Sequence, residues 1–203
     1  IYGFSGFHET RNIPPLDGVV PMPFFDKSTG SNEIVADNED KDFRFVQATN
    51  QAYLKSLINS KKDDRYKYSA IWAWNPPREW RASLRSEFYG NYVHSAHYTR
   101  GGMGERTAYW KAALPAKGSY DIYYYIDKVN LGWRRSNKSP DYNITVYHDN
   151  GVDKVNQVTE NVDNGWNYIG TWYISSDTGK IELSNKSNGD IVFADAVKWV
   201  LNQ

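Results

Sequence analysis

The chain has 203 residues, of which 40% are hydrophobic and 24% are charged, and its formal net charge at pH 7 is zero. This balance is ordinary for one soluble globular domain, and it argues against general nucleic-acid binding, which needs a basic excess. The absence of cysteine excludes disulfides, a thiol nucleophile and a thiolate metal site. No apolar stretch approaches the roughly 18 residues of a membrane span.

The N-terminal residues 1–32 are rich in Pro, Gly, Asp and Ser, which predicts a linker or an N-terminal arm. The chain opens at Ile1 without a Met and shows no signal peptide, so we expect it to be part of a longer precursor. Residues 32–45 then read as a strand, an acidic turn and a second short extended piece. One helix is predicted near residues 47–60, where Tyr53, Leu54, Leu57 and Ile58 form an apolar stripe at helical spacing.

From about residue 70 the pattern predicts β-structure. The segment GSYDIYYYIDKV alternates large apolar side chains with polar ones, and HDNG, VDNG, SDTG and NKSNG separate the later strands as turns. Several short strands at this spacing indicate a single antiparallel β-sandwich over residues 33–203. Inside the last predicted strand, DIVFADAVKWVL, a carboxylate, Asp195, stands among large apolar groups. A buried charge without partners is costly, so Asp195 belongs either to a hydrogen-bond network or to a site.

The aromatic content is high, with 16 Tyr, 8 Trp and 8 Phe, and several of these rings stand beside arginines in predicted loops. Sugar rings stack their C–H faces on indole, while their hydroxyls and carboxylates bind Arg. The connection NLGWRRSNKSPD is the first candidate, and the Pro-Pro bend AIWAWNPPREWRA, which also carries Trp72, Arg78 and Arg81, is the second. The candidate ligand-binding residues are Trp133, Arg134, Arg135, Trp74, Trp80, Tyr98 and Arg100. For each Trp, burial in the core is the competing interpretation.

Metal binding is only weakly indicated. Carboxylates cluster in ADNEDKD, at Asp37, Glu39, Asp40 and Asp42, but the glycine and closing glutamate of an EF-hand loop are missing. A solvated turn is favoured; if a metal is bound, structural calcium is expected. The histidines of HSAH fall on a predicted strand, where their spacing points them to opposite faces and disfavours zinc.

Six motifs, taken in order, give the chain a family resemblance. AYW and LPAKGSY lie in the first half, YNITVYHDNGVDKVNQ and GWNYIG in the middle, and IELSN followed by VFADAV at the end. This order resembles the golvesin C-terminal-like domain, also described as the xanthan lyase carbohydrate-binding-like domain. The match covers about residues 33–45 and 86–200, so residues 46–85 look like an insertion into a domain spanning 33–203.

The resemblance implies an all-β, jelly-roll type sandwich and a non-catalytic accessory role in secreted, periplasmic or cell-surface proteins that act on polysaccharide, as in xanthan lyase-like proteins of Bacteroidetes. It also implies structural roles for Asp195, Trp110, Tyr120 and Trp166. For Asp195 we expect hydrogen bonds from loop amides or a Tyr hydroxyl, and lower stability on replacement by Asn and still lower by Leu.

Three functions stay open. The leading hypothesis is binding of a polysaccharide, neutral or anionic, with a neighbouring domain of the same polypeptide as a further partner. The alternative is a structural or protein-interaction module that supports a catalytic domain. A polysaccharide lyase using His97, Tyr98 and Arg100 is a third hypothesis, disfavoured because strand geometry separates these side chains.

Overall fold

The computed structural model describes residues 32–46, 68–128, 140–159 and 162–202. The helix predicted near residues 47–60 and the N-terminal arm lie outside this part of the chain, apart from residue 32. The described part contains twelve strands, which are β1 (Glu33–Asp37), β2 (Arg44–Val46), β3 (Arg81–Leu84), β4 (Ser95–Arg100), β5 (Thr107–Ala113), β6 (Gly118–Ile126), β7 (Asp141–His148), β8 (Gly151–Val158), β9 (Gly165–Ile174), β10 (Thr178–Ser184), β11 (Ile191–Ala194) and β12 (Ala196–Leu201).

The strands form three sheets, and every pairing between these strands is antiparallel. A four-stranded sheet has the order β1-β12-β6-β9, a five-stranded sheet has the order β2-β5-β10-β7-β8, and a three-stranded sheet has the order β11-β4-β3. The predicted antiparallel β-sandwich is therefore confirmed.

The main core lies between the four-stranded and five-stranded sheets. Side chains at alternate positions of β6, such as Tyr120 and Tyr124, meet those of β5 and β10, such as Trp110 and Ile181, and all four are fully buried. This alternation is what the sequence pattern of GSYDIYYYI requires, because successive side chains of a strand point to opposite faces.

The three-stranded sheet has its own small core on the face turned away from the sandwich. Phe88, Tyr98, Ile191 and Phe193 form this cluster, and Ile71 packs against it. The opposite face of β11 contributes Val192 and Ala194 to the main core. Both faces of β11 are thus covered, as its continuous apolar sequence predicts.

The segment predicted as one final strand is two strands that belong to different sheets. β11 pairs with β4, whereas β12 lies between β1 and β6, and Asp195 is the one residue that separates them. The alternation changes phase there, since Val192 and Val197, five positions apart, both enter the main core. Period-two reading of the sequence cannot detect such a change of sheet.

Candidate functional site

The loop before β3 carries three tryptophans, Trp72, Trp74 and Trp80, and β4 holds this loop in place. The Tyr98 hydroxyl donates a hydrogen bond to the carbonyl of Ala70 (2.8 Å). The backbone N–H of Arg100 donates to the carbonyl of Pro77 (2.8 Å), and the Thr99 hydroxyl donates to the same carbonyl (3.3 Å). Both ends of the Pro-Pro bend are therefore fixed on a strand whose own residues are buried up to Thr99.

Two of these tryptophans, Trp72 and Trp74, project into solvent. Trp72 is 65% exposed and Trp74 is 81% exposed, while Ala73 between them is buried. Tryptophan is usually largely buried, so two exposed indoles two positions apart in a loop that is hydrogen-bonded to a buried strand make this loop a candidate binding surface.

A cavity of about 500 Å³ lies beside Trp72 and is lined by three arginines. Arg78 and Arg81 come from the loop and from the first position of β3, and Arg100 comes from the end of β4. The pairing of β3 with β4 brings Arg100 close to the other two, although it stands about 20 positions later in sequence. Asn75 also lines the cavity and accepts a hydrogen bond from the Arg100 guanidinium.

A second cavity of about 320 Å³ adjoins the first, and Pro76 and Arg100 line both. Its other walls are Trp74 and Asp190 together with the backbone of Gly101 and Gly189. The two glycines allow a close approach of two loops, because a Cβ on Gly101 would lie 2.1 Å from the Gly189 carbonyl oxygen. The Gly101 N–H donates to the Asp190 carbonyl (3.0 Å), which fixes this wall.

The arginines give this surface a local positive charge in a chain whose net charge is zero. Within the described residues, neither Arg78 nor Arg81 pairs with a carboxylate, and both are exposed. A guanidinium offers planar, bidentate donors that match carboxylates. Two exposed indoles beside three arginines can therefore stack a sugar ring and bind an acidic group on it.

The sequence-predicted ligand residues divide between this surface and the interior. Trp74 and Arg100 lie on the cavity surface, as do Trp72, Arg78 and Arg81 from the same predicted bend. Trp80 is 4% exposed and Tyr98 is 1% exposed, which corrects their prediction as stacking faces. Trp80 packs in the main core, and Tyr98 anchors the loop through its hydroxyl and forms part of the wall of the larger cavity without exposing its ring. Trp133, Arg134 and Arg135 lie outside the described residues, so their role stays a prediction.

The residues predicted to be structural occupy interior or ring-packed positions. Trp110 and Tyr120 are fully buried in the main core. Trp166 is half-buried on the outer face of the four-stranded sheet, where its ring lies 5.1 Å from those of both Tyr89 and Tyr125. These contacts are edge-to-face, which is a favoured geometry for aromatic pairs.

Asp195 accepts a hydrogen bond at Oδ2 from the backbone N–H of Tyr89 (3.0 Å), a loop amide of the predicted kind. Its Oδ1 has no hydrogen-bond partner among the described residues, and the side chain is buried. Burial raises the pKa of the Asp195 carboxyl well above its ordinary value, and the carboxylates of Asp37 and Asp127 act in the same direction. Burial likewise raises the pKa of Asp127 to about 6.

The predicted calcium turn uses its carboxylates within the protein. Asp40 accepts a hydrogen bond from the backbone N–H of Asp37 (2.8 Å), and Glu39 accepts one from the Ser95 hydroxyl. Among the described residues, no group of three His, Asp or Glu side chains could hold a metal ion. Calcium binding therefore receives no support from the positions of these groups.

The trio proposed for lyase chemistry is separated by the strand that carries it. His97 packs against the rings of Phe43 and Phe45, at 5.0 and 5.3 Å, whereas Tyr98 belongs to the small core on the other face of β4. Arg100 lines both cavities and Tyr98 lines the larger one, whereas His97 packs on the opposite side of the strand. These three side chains do not converge on one reacting group.

His97 is expected to make the protein sensitive to mild acid. Burial lowers the pKa of His97 to about 4, from 6.5. The neutral ring therefore stabilises the fold fully above pH 6.5, and this contribution is lost as the pH falls from 6.5 towards 4. Relative to His97→Gln, the wild type should lose up to about 3 kcal/mol across this range. Urea unfolding at several pH values measures it; parallel curves for the two proteins would contradict the prediction.

Asn75 and Asp190 were missed by sequence reasoning, although both line the cavities. Asp190 stands in a polar turn more than 85 residues from Arg100, and only the pairing of β11 with β4 brings the two together. The adjacency of Asn75 to the Pro-Pro bend was the only available signal.

The fold and this sequence fit a known family. A family model described as the Golvesin C-terminal domain matches residues 72–201, which is well over half of the chain. The chain belongs to the Golvesin C-terminal domain family. The match includes the loop with Trp72 and Trp74, so this loop lies inside the family region. No curated protein sequence gives a significant match.

One solved structure supports the fold. The chain is similar to a xanthan lyase from Paenibacillus, with a TM-score of 0.57 and 19% identity over 85% of this chain. It spans only 13% of the lyase chain. A GH26-CBM35 β-(1,4)-mannanase from Podospora anserina matches with a TM-score of 0.45 and 9% identity, over 86% of this chain and 28% of the mannanase. The lyase likeness supports the sandwich fold, and the mannanase score is too low to support any conclusion.

Proposed function

We propose that this protein is a non-catalytic accessory domain that binds polysaccharide at the surface formed by Trp72, Trp74, Arg78, Arg81 and Arg100. The observation that carries the proposal is the pair of exposed indoles beside three arginines that line adjoining cavities. Indole rings stack on the C–H faces of sugars, and arginines bind uronate or pyruvyl carboxylates in bidentate fashion.

An acidic polysaccharide is the ligand class that this surface favours. The net charge of the chain is zero, so attraction of an anion has to come from a local group of charges. Arg78 and Arg81 are not neutralised by carboxylates within the described residues. Binding should therefore weaken as the salt concentration rises, because exposed charges are screened over about 8–10 Å at physiological ionic strength.

Two observations support the accessory role: the family match, and the small share of the xanthan lyase chain that this chain spans. The chain corresponds to 13% of the xanthan lyase chain that it resembles. We infer that a neighbouring domain of the same polypeptide carries any catalytic activity, and that the parent protein is secreted or exposed at the cell surface. In the described part of the chain, no helix has the length and apolarity needed to cross a bilayer.

A second candidate function, docking of a partner or neighbouring domain, is favoured by a different surface. Leu84, Tyr92 and Val93 are 50%, 64% and 41% exposed, and they line a shallow apolar cleft together with Arg85 and His94. Exposed apolar clusters of this kind often mark protein interfaces. Among the described residues, this cleft and the arginine cavities have no lining residue in common.

The binding proposal is tested with Trp74→Ala. We expect this variant to lose at least about tenfold in affinity for acidic polysaccharides in affinity electrophoresis and isothermal titration, since stacking on the indole is removed. Its melting temperature should stay at the wild-type value because the ring is 81% exposed. Tyr168→Ala is the matched control, because it removes an exposed ring (54%) from β9, in another sheet.

Two results would count against the proposal. Undiminished affinity of a folded Trp74→Ala, Trp72→Ala double variant would move the site elsewhere, with the connection around Trp133 as the next place to test. A wild-type protein that retains no acidic or neutral polysaccharide would favour the docking function.

A further inference from the structure

We propose that the two cavities are adjoining subsites with different charge preferences, and that the ligand is a glycan in which an acidic residue stands next to a neutral one. The inference rests on the proposed function and specifies the ligand of the same surface. It distinguishes such a glycan from a homopolymer of uronates and from a wholly neutral chain.

The larger cavity is the acidic subsite. Arg78, Arg81 and Arg100 line it, and none of the described residues that line it is a carboxylate. Trp72 provides an exposed ring at its edge. The Arg100 guanidinium is already oriented by its hydrogen bond to Asn75, so less side-chain freedom is lost when a carboxylate binds.

The smaller cavity is the neutral subsite. Trp74 provides its stacking face, and Asp190 is the carboxylate among the described residues that line it. A carboxylate accepts hydrogen bonds from sugar hydroxyls, but it repels a second carboxylate at short distance. Arg100 also lines this cavity and carries a charge opposite to that of Asp190, so the described lining has no excess positive charge, in contrast to the three arginines of the larger cavity. Gly101 and Gly189 offer backbone atoms and no charge.

The two subsites are close enough for neighbouring residues of one glycan. Pro76 and Arg100 line both cavities, so the two cavities adjoin. Two sugars that are directly linked in one glycan can therefore occupy them, with no further sugar between the two. The geometry is also fixed in advance, because Pro77 is hydrogen-bonded to β4 and Gly101 to the backbone of Asp190. A rigid pair of unequal subsites selects the order of residues in its ligand, and a flexible pair would not.

The experiment compares three sets of oligosaccharides of equal length by isothermal titration at low salt. The alternating set is made of hyaluronan and unsulfated chondroitin, in which glucuronate alternates with a neutral sugar. The all-acidic set is made of oligogalacturonate and oligomannuronate, and the neutral set is made of cello- and manno-oligosaccharides. We expect at least one alternating ligand to bind about tenfold more tightly than every member of the other two sets.

Variants assign the subsites. Arg78→Ala with Arg81→Ala should reduce binding of the alternating ligand to the level of the neutral set. Asp190→Asn should raise affinity for the all-acidic set by several-fold, while affinity for the alternating ligand changes by less than about twofold, because the amide still serves sugar hydroxyls. Lys154→Ala, which removes one exposed positive charge from β8, is the matched charge control.

The outcomes separate the two proposals. No binding by any set would overturn both the proposed function and this inference. Binding that is as tight for an all-acidic or a neutral ligand as for every alternating one would overturn this inference alone. An unchanged preference in Asp190→Asn would also overturn it, since the charge at the smaller cavity would then select nothing.

Discussion

Replacing Trp110 by alanine is expected to lower the free energy of unfolding by ~3–5 kcal/mol, the range for loss of a buried aromatic side chain. The Trp110 ring is fully buried and packs against Phe43 and Tyr124, with centroid distances of 5.4 and 5.8 Å. Its Nε1 donates a hydrogen bond to the backbone carbonyl of Asp195 (3.1 Å), so the substitution also removes a donor at the change of sheet. Urea unfolding followed by far-UV circular dichroism measures the effect.

Trp72→Ala is the matched control, because the same side chain is removed from an exposed position. Its stability should stay within about 0.5 kcal/mol of the wild type. A Trp110→Ala variant that lost less than about 1 kcal/mol would contradict the close packing of the core around this ring.

Substitutions of Asp195 are expected to separate the stabilising hydrogen bond that its Oδ2 accepts from the cost of burying its Oδ1. Asp195→Leu removes the acceptor of the Tyr89 N–H and should cost ~1–3 kcal/mol. Asp195→Asn keeps an acceptor, and its amide can fill the place of Oδ1, which has no partner among the described residues. Near neutral pH, Asp195→Asn should therefore be as stable as the wild type or more stable, which differs from the loss expected from the sequence.

The pH dependence tests the reason for this difference. Burial raises the pKa of Asp195 above its value in the unfolded chain, so its contribution to stability is fully present below about pH 4 and is lost as the pH rises through the raised pKa. The stability of Asp195→Asn should lack this loss, and the gap between the two proteins should widen with pH. A constant gap between pH 4 and 8 would mean that Asp195 does not titrate in a buried setting.

The strands could be predicted from the sequence because each carries its own signal. The alternation of Tyr120, Ile122, Tyr124 and Ile126 indicates a buried face without reference to the rest of the chain. The separation of β11 and β12 at Asp195 could not be predicted in this way. It depends on which strands lie alongside, and period-two alternation on both sides of Asp195 looks continuous in the sequence.

The candidate site was predictable as a set of residue types and not as a set of positions. Trp74 and Trp80 stand in the same loop sequence, yet one ring is in solvent and the other is in the core. The two residues are of the same type and have similar sequence neighbours, so only tertiary packing distinguishes the exposed ring from the buried one. Asp190 became part of the site through the β11–β4 pairing, a long-range contact for which the sequence carries no local signal.

The single residue between β11 and β12 has a thermodynamic consequence for any ligand of this domain. Because Asp195 directly joins the sheet that carries the cavities to the centre of the four-stranded sheet, the two are expected to unfold in one cooperative transition. A ligand bound in the cavities should then protect the whole domain against heat. At a free ligand concentration of about 100 times Kd the gain is ~2.7 kcal/mol, so a thermal-shift screen of oligosaccharides can detect ligands without labelling.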